Sequence, residues 1–480
     1  MRVLFVSSEV EPFSKTGGLA DVVGSLPKYL AKLGVEVKII TPRYAVCKKK
    51  PPGQKLLPGT FSVKIGEQIE KGTVYSSFLG GVEVWLVGNA HFFDREELYQ
   101  EKGQDYPDNA ERFIFFNLAV LEFLKKSGWQ PDIIHCHDWQ SGLIPVYLKS
   151  LYGDDKFFKN CKTIYTVHNL AYQGVFDKYK VLLTGLGWEY FTMERLEYWD
   201  RLCFAKGGLI FADKVTTVSP RYSREIQEPA YGYGLDGVLK SRSKDVTGII
   251  NGIDYEYWNP ATDRDITRNY SLKNLSLKLE DKKNLQRVLG LPVEEVPLIG
   301  IISRLTDQKG FDILEGILSN LMRLKLELVI LGNGEPKYHD LFSLAAKKYP
   351  RKLAVVLRFD VPLSRKIYAG SDFFLMPSLF EPCGLGQMIS LRYATIPIVR
   401  ETGGLADTIE NFDPKTLEGN GFVFKEYSGG ALLGAIKNAL KIYKNTKLWQ
   451  KLLNRALSYD FSWEASARQY LMLYKNLLKS

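Results

Sequence analysis

The sequence predicts an α/β protein made of two doubly wound domains. Three observations carry the prediction. Short apolar runs rich in β-branched residues alternate with longer amphipathic stretches, and this alternation runs through twice. The chain has 480 residues, more than one ordinary core accommodates, so two or three domains are expected. Asn, Gly, Pro and Asp crowd into "NGIDYEYWNPATDRD" between the two runs and mark a seam there. The expected division is residues 1–250, residues 251–460 and a final segment, 461–480.

In the first run the strand candidates are, in order, "RVLFVSS", "VEVKIIT", "VEVWLVG", "PDIIHCH", "KTIYTVH", "KVTTVS" and "VTGIING". Apolar runs of this length, bounded by turn signals, suit strands buried on both faces. Helical patterns lie between several of them. Two are "ADVVGSLPKYLAKLG" and "NAERFIFFNLAVLEFLKKSG", the second stopped by Gly128. The second run offers "VPLIGIISR", "LELVILGNG", "LAVVLRF", "DFFLMPS", "TIPIVRE" and "GFVFKE", separated by stretches such as "GFDILEGILSNLMRLK". The final "SWEASARQYLMLYKNLLKS" reads as one terminal helix. No period of about 20–50 residues appears, which excludes a solenoid.

Composition narrows the function classes. No segment supplies about eighteen uninterrupted apolar residues, so no membrane span is expected. The opening "MRVLFVSSEVEP" is too short an apolar run for a signal peptide and reads as a first strand. The five cysteines are odd in number and scattered, which suits free thiols in a reducing cytoplasm. The net charge of +10 fits either a Lys-rich solvated surface or attraction of an anionic substrate. Nucleic acid is not expected as a partner, because the basic residues are spread out and form no strongly basic arm. The densest cluster, "CKKKPPGQK", reads as a loop.

In doubly wound sheets, ligands bind beyond the carboxyl ends of the strands, so polar residues just after strands are the candidates. In "FSKTGGLADVVGSL", Gly17 and Gly18 are read as allowing close backbone approach and unusual dihedrals. The helix that follows would turn their N–H groups into an anion site. Lys15 stands before that positive helix end as a lone cation, a conflict an anionic ligand would remove. A solvated lysine on a flexible turn is the alternative. In "IISRLTDQKGFDIL", Arg304 follows a strand and Lys309 precedes a helix. The pair suits a diphosphate, or else is surface charge. "LFEPCGLGQMISLRYA" opens a helix at Gly384, Leu385 and Gly386, a second N–H cradle for phosphate. Glu381 stands at its mouth, where a carboxylate suits a neutral sugar hydroxyl better than phosphate.

Other signals are weaker. "LGNGEP" does not complete a dinucleotide fingerprint. "HCHD", ending in Asp138, resembles a metal cluster. Its alternating histidines are expected on opposite faces of the strand, and no second His/Cys cluster stands out, so structural or sugar-binding histidines are favoured. His168 follows the next strand, with a satisfied core histidine as the alternative. The six residues TGGLAD of the opening turn recur at Thr402–Asp407.

"KTGGLADV", "HCHDWQSGLIP", "TVHNLAYQG", "ISRLTDQKG", "FEPCGLGQM" and "RETGGLADT" follow one another from Lys15 to Thr408. In this set the chain resembles bacterial glycogen synthases and plant starch synthases of the ADP-glucose-using kind, over nearly its whole length. The resemblance implies a GT-B fold, two Rossmann-like domains facing a central cleft. The first is the acceptor side, the second the nucleotide-sugar side, and the last helix crosses back to the first. It implies glucose transfer from ADP-glucose to the non-reducing end of an α-1,4-glucan, with retention, release of ADP and no metal or other cofactor.

It also implies residue roles. Lys15 binds the donor, and Arg304 and Lys309 hold the leaving diphosphate. Glu381 lies near the donor glucose and His168 close to the transferred sugar. Asp138 is a polar residue beside the sugars, and Asp21 lies near the cleft. Gly17, Gly18, Cys383, Gly384, Leu385, Gly386, Thr402 and Gly403 fall in the binding turns, each TGGLAD turning its backbone toward the cleft. Phe359 lies near the base. Many relatives have Thr at Gly386, where a backbone N–H survives the change. Relatives often have Tyr at Phe359, and Phe can stack but lacks the hydroxyl.

Glu381 and Asp138 belong to different domains, so the sequence does not support a double displacement between paired carboxylates. Same-face attack is preferred, with the departing phosphate helping to take the acceptor's proton. Two rivals remain: another GT-B enzyme with a small or lipid acceptor, and a non-catalytic glucan-binding relative.

Overall fold

The computed structural model describes residues 1–48 and 53–479. Residues 49–52 of the expected Lys- and Pro-rich loop, and Ser480 of the expected terminal helix, lie outside the described residues. The chain divides into two units, Met1–Gly252 with Trp463–Ser480, and Ile253–Ser462.

In chain order the strands of the first unit are β1 (Arg2–Val6), β2 (Glu36–Pro42), β3 (Lys55–Leu56), β4 (Phe61–Ile65), β5 (Gln68–Leu79), β6 (Val82–Gly88), β7 (Gln100–Glu101), β8 (Gln104–Asp105), β9 (Ile133–His137), β10 (Lys162–Val167), β11 (Val175–Asp177), β12 (Glu197–Tyr198), β13 (Arg201–Cys203), β14 (Lys214–Thr217) and β15 (Val246–Gly248). The main sheet runs β15-β14-β10-β9-β1-β2-β6-β5-β3, with β4 paired to β5. From β15 to β6 every pairing is parallel. Each strand expected in the first run is one of these. Val3, Leu4, Phe5 and Val6 of β1 are all fully buried, as a strand covered on both faces requires. The antiparallel edge of β3, β4 and β5 was not among the expected elements.

The helix Asn109–Ser127 ends where Gly128 adopts φ 68° and donates to the Leu124 carbonyl, a left-handed stop that glycine makes without strain. The C-terminal helix Trp463–Leu477 belongs to this same unit. Ser466 Oγ donates to the Ile250 carbonyl at 2.7 Å, and the Tyr474 hydroxyl meets His135 Nδ1 at 2.8 Å.

The second unit is a six-stranded parallel sheet of β16 (Leu298–Ile302), β17 (Glu327–Leu331), β18 (Leu353–Val356), β19 (Phe373–Met376), β20 (Ile396–Arg400) and β21 (Phe422–Phe424), in the order β18-β17-β16-β19-β20-β21. All six are the strands expected in the second run. Alternate residues serve different cores. Ile299, Leu328 and Ile330 join one apolar cluster, whereas Leu298, Val329 and Leu331 join another. Period-two alternation with both faces apolar is the pattern of a sheet covered on both sides.

In each sheet the first strand lies inside. The chain winds outward on one side and then returns to the other. The reversal falls between β1 and β9 in one unit and between β16 and β19 in the other. Loops at the carboxyl ends of such neighbours diverge and leave a crevice, the usual ligand position in open α/β sheets.

Candidate active site

The second unit concentrates charge at its switch point. The loop after β16 carries Arg304 and Lys309, and the loop after β19 carries Glu381. Gly310, at φ 75°, lets the two loops touch, because a Cβ there would come within 2.0 Å of the Pro377 carbonyl. Backbone bonds tie them together: Leu379 N donates to the Gln308 carbonyl at 2.8 Å. Lys309 Nζ consequently donates to Glu381 Oε2 at 2.6 Å. Ser378 Oγ donates to the same oxygen at 3.1 Å. The pair is largely buried, its side chains 17% and 8% exposed. Arg304 is exposed, and its guanidinium has no partner among the described residues. The expected pair of cations is thus one cation matched by an internal carboxylate and one unmatched.

A helix opens after Glu381 at the expected position. Gly384 has φ 73°, Leu385 caps the helix Gly386–Arg392, and Cys383 is buried. Phe359 sits past the carboxyl end of β18 with 83% of its surface exposed. An aromatic ring so open offers a flat face for stacking.

The first unit departs from expectation at its opening turn. Lys15 is not a lone cation: Nζ lies 2.6 Å from Asp21 Oδ1 and 3.8 Å from Glu11 Oε2. Asp21 lies in the first turn of the helix Gly18–Lys32, where a carboxylate suits the helix dipole. Gly17 has φ −154° and ψ −166°, extended backbone that any residue adopts, so the expected unusual dihedral is absent. Gly18 is likewise not among the positive-φ residues described. What distinguishes both is open space, because a Cβ at either would meet nothing within 4 Å. The expected anion site is also already served from within. The buried carboxylate of Glu9 accepts from Thr16 N at 2.5 Å, Thr16 Oγ1 at 2.6 Å, Gly17 N at 3.2 Å and the Tyr99 hydroxyl at 2.8 Å. Glu9 and Tyr99 escaped the sequence reading. Glu9, an acid just after the first strand, carried a local signal. Tyr99 carried none.

The second copy of the turn is built differently. Gly403 has φ 44°, and a Cβ on it would lie 1.9 Å from the Glu381 carbonyl. Gly404 N already donates to the Glu381 and Pro382 carbonyls. Thr402–Asp407 therefore packs beneath the Glu381 loop, whereas Thr16, Gly17 and Gly18 of the first copy are exposed.

The histidines also depart from expectation. His135 and His137 share a face of β9, being two residues apart, and their ring centroids lie 4.2 Å from each other. The alternation is with Cys136. His137 Nδ1 meets His168 Nε2 at 2.9 Å, and His168 N donates to Asp138 Oδ1 at 2.7 Å. Burial holds the His168 imidazole down to about 3. Burial, with a smaller push from the Glu9 charge, lifts the Asp138 carboxyl to about 7. Asp138 also sits at φ 56°, uncommon for a non-glycine residue and typical of functional positions. Among the described residues, no group of three or more His, Cys, Asp or Glu could hold a metal ion. No helix there is long and apolar enough to cross a membrane.

Two parallel α/β units, each with charged loops at its switch point, have the build of a GT-B glycosyltransferase. Comparison narrows this. Residues 2–241 match the family model of the starch synthase catalytic domain, and residues 268–455 that of glycosyl transferases group 1. The chain is 47% identical to a glycogen synthase of Thermotoga petrophila, covering 100% of this chain and 99% of that one. It is 48% identical to a glycogen synthase of Desulforudis audaxviator, covering 100% and 97%. Its structure matches the catalytic domain of starch synthase IV from Arabidopsis thaliana, bound to ADP and acarbose, at a TM-score of 0.91 and 34% identity over 100% and 99% of the chains. The chain belongs to the glycogen and starch synthase family.

Proposed function

We propose that this glycosyltransferase moves glucose from ADP-glucose to the non-reducing end of an α-1,4-glucan, with retention and without a metal. The observation that carries the reading is the Lys309–Glu381 pair at the switch point, beside unpartnered Arg304. Arg304 and Lys309 take the diphosphate, assisted by the amides of Gly384, Leu385 and Gly386. Charge-assisted bonds of about 1.5–3 kcal/mol each make such a set a substitute for a cation at the leaving group. Phe359 stacks on the base. Glu381, released from Lys309, turns to the donor sugar. His168 and Asp138 face the sugars, Lys15 and Asp21 act at the open Gly17–Gly18 turn, and Cys383, Thr402 and Gly403 hold the Glu381 loop in place.

In the transfer the bond from C1 to the phosphate oxygen breaks and a bond from C1 to the acceptor's 4-oxygen forms on the same face. The acceptor proton leaves with the phosphate. The starch synthase structure with ADP and acarbose supports a nucleoside diphosphate and a glucan as ligands. The test is turnover with ADP-glucose against UDP-glucose on a glycogen primer, read as nucleotide release and glucan extension. A higher kcat/KM with UDP-glucose overturns the donor, and nucleotide release without primer extension overturns the acceptor.

A further inference from the structure

His137 is fully buried at the end of β9, its ring stacked on Phe5 at 5.2 Å and beside His135 at 4.2 Å. His135 is satisfied at both nitrogens, by the Tyr474 hydroxyl and by Thr166 Oγ1. His137 is not. Its Nδ1 meets His168 Nε2 at 2.9 Å, while its Nε2 is enclosed and has no partner among the described residues. Burial holds all three imidazoles below their usual range, so each is neutral near pH 7 and carries a single ring proton.

Only one proton fits between His137 Nδ1 and His168 Nε2, which leaves two arrangements. If His168 donates, the proton of His137 must sit on Nε2, an enclosed N–H with no acceptor. If His137 donates, its Nε2 is a bare acceptor. Orphaned buried N–H groups are much rarer than underused acceptors. We infer that His137 is a positioning residue that donates Nδ1–H to His168 Nε2 and so fixes His168 as the tautomer protonated at Nδ1. His168 then presents one neutral N–H donor, suited to the lone pair of a sugar hydroxyl and unsuited to accepting a proton. The ring nitrogen opposite a fixed hydrogen bond is the one set for function. The ligand class rests on the reading of His168 as a sugar-facing residue.

The chain has only five histidines, so their ring nitrogens are separable by long-range ¹H–¹⁵N correlation on the intact histidine-labelled protein at pH 7. Substitution of His91 and His339 simplifies assignment. The expected spectrum has Nδ1 protonated in both His137 and His168. A proton on Nε2 of His168 overturns the inference, and this reading needs no variant to fold. In His137→Asn the side-chain amide can still donate, whereas in His137→Leu it cannot. His137→Asn should keep the His168 tautomer and kcat, and His137→Leu should lose the tautomer and about tenfold in kcat, the scale of one lost hydrogen bond. Equal kcat for His137→Leu and the wild type overturns the positioning role. Should His168→Asn transfer glucose normally while the wild-type tautomer is as expected, the sugar-facing reading falls and the tautomer assignment stands.

Discussion

The two copies of TGGLAD should answer the same substitution in opposite ways. Gly18 and Gly404 are the second glycines of the two copies. At Gly18 an added Cβ meets nothing within 4 Å, and the residue opens a helix. Ala there should leave stability unchanged or raise it by up to about 1 kcal/mol, through the unfolded chain and helix propensity. At Gly404 the Cβ would lie 2.1 Å from the Cys383 carbonyl oxygen and 2.5 Å from its Cα. These are backbone atoms, so the Glu381 loop must move. Overpacking of this kind costs about 1–3 kcal/mol or more. At about 2–4 °C per kcal/mol for a unit of this size, Gly404→Ala should melt several degrees lower and Gly18→Ala should not. Both should lose glucose transfer. In Gly18→Ala the methyl fills open space at the turn proposed to meet substrate, and a displacement of about 1 Å costs on the order of 10²-fold. In Gly404→Ala the loss comes from a displaced Glu381. The assay pairs thermal unfolding with kcat/KM for ADP-glucose. Full activity in Gly18→Ala refutes the open turn as a ligand surface, and a wild-type melting temperature for Gly404→Ala refutes the packed reading of the second copy.

Glu381→Gln should bind ADP at least as tightly as the wild type, because Lys309 loses its carboxylate partner, while kcat falls about 10²–10³-fold; calorimetry beside kinetics decides, and normal turnover removes Glu381 from the mechanism. Lys309→Ala should weaken ADP binding and also destabilise by about 3–5 kcal/mol, since it strands a buried carboxylate; adding Glu381→Gln should restore the stability but not the binding. Asp138 has its carboxyl raised to about 7 by burial, against 3.8 ordinarily, so the folded state binds the extra proton between those values and this residue's contribution is lost as pH rises through 7. Asp138→Asn should therefore gain stability relative to the wild type between pH 4 and pH 7, on the order of a few kcal/mol at most, seen as diverging denaturation midpoints; parallel midpoints contradict it. Activity should survive EDTA, and loss reversed by a divalent ion would refute the metal-free reading.

The parallel strands were legible because burial on both faces leaves continuous apolar runs that no other element of that length produces. The edge strands were not. β5, "QIEKGTVYSSFL", mixes exposed and buried positions, and its partners β3 and β4 are short. Within the site, Arg304, Lys309 and Glu381 were legible as residues following strands, but their coupling was not. Lys309 and Glu381 are 72 residues apart and meet only because β16 and β19 are neighbours. Asp21 lay six residues from Lys15 in plain view, and the lone-cation reading overlooked that a first-turn carboxylate can fold back on its own turn. The His137–His168 bond depends on the register of β9 with β10, which residue spacing does not fix.

The charges at both switch points are mostly matched from within, and this bears on how binding energy can be used. Glu9 answers the amides of Thr16 and Gly17, Asp21 and Glu11 answer Lys15, and Glu381 answers Lys309. A diphosphate arriving at Lys309 must compete with a carboxylate already 2.6 Å away, so that lysine adds less to ground-state affinity than an unmatched cation would. As the bond from C1 to the phosphate oxygen breaks, negative charge grows on the leaving group while Glu381 keeps a single charge. The balance at Lys309 then shifts toward the phosphate. The exchange frees Glu381 beside a sugar carbon that is becoming positive. An interaction that strengthens only as the bond breaks raises kcat, whereas one equally strong beforehand would only lower KM. Under the proposed function, the Lys309–Glu381 pair would hold back binding energy for the transition state, and Arg304, unmatched from the start, would anchor the nucleotide while the exchange takes place.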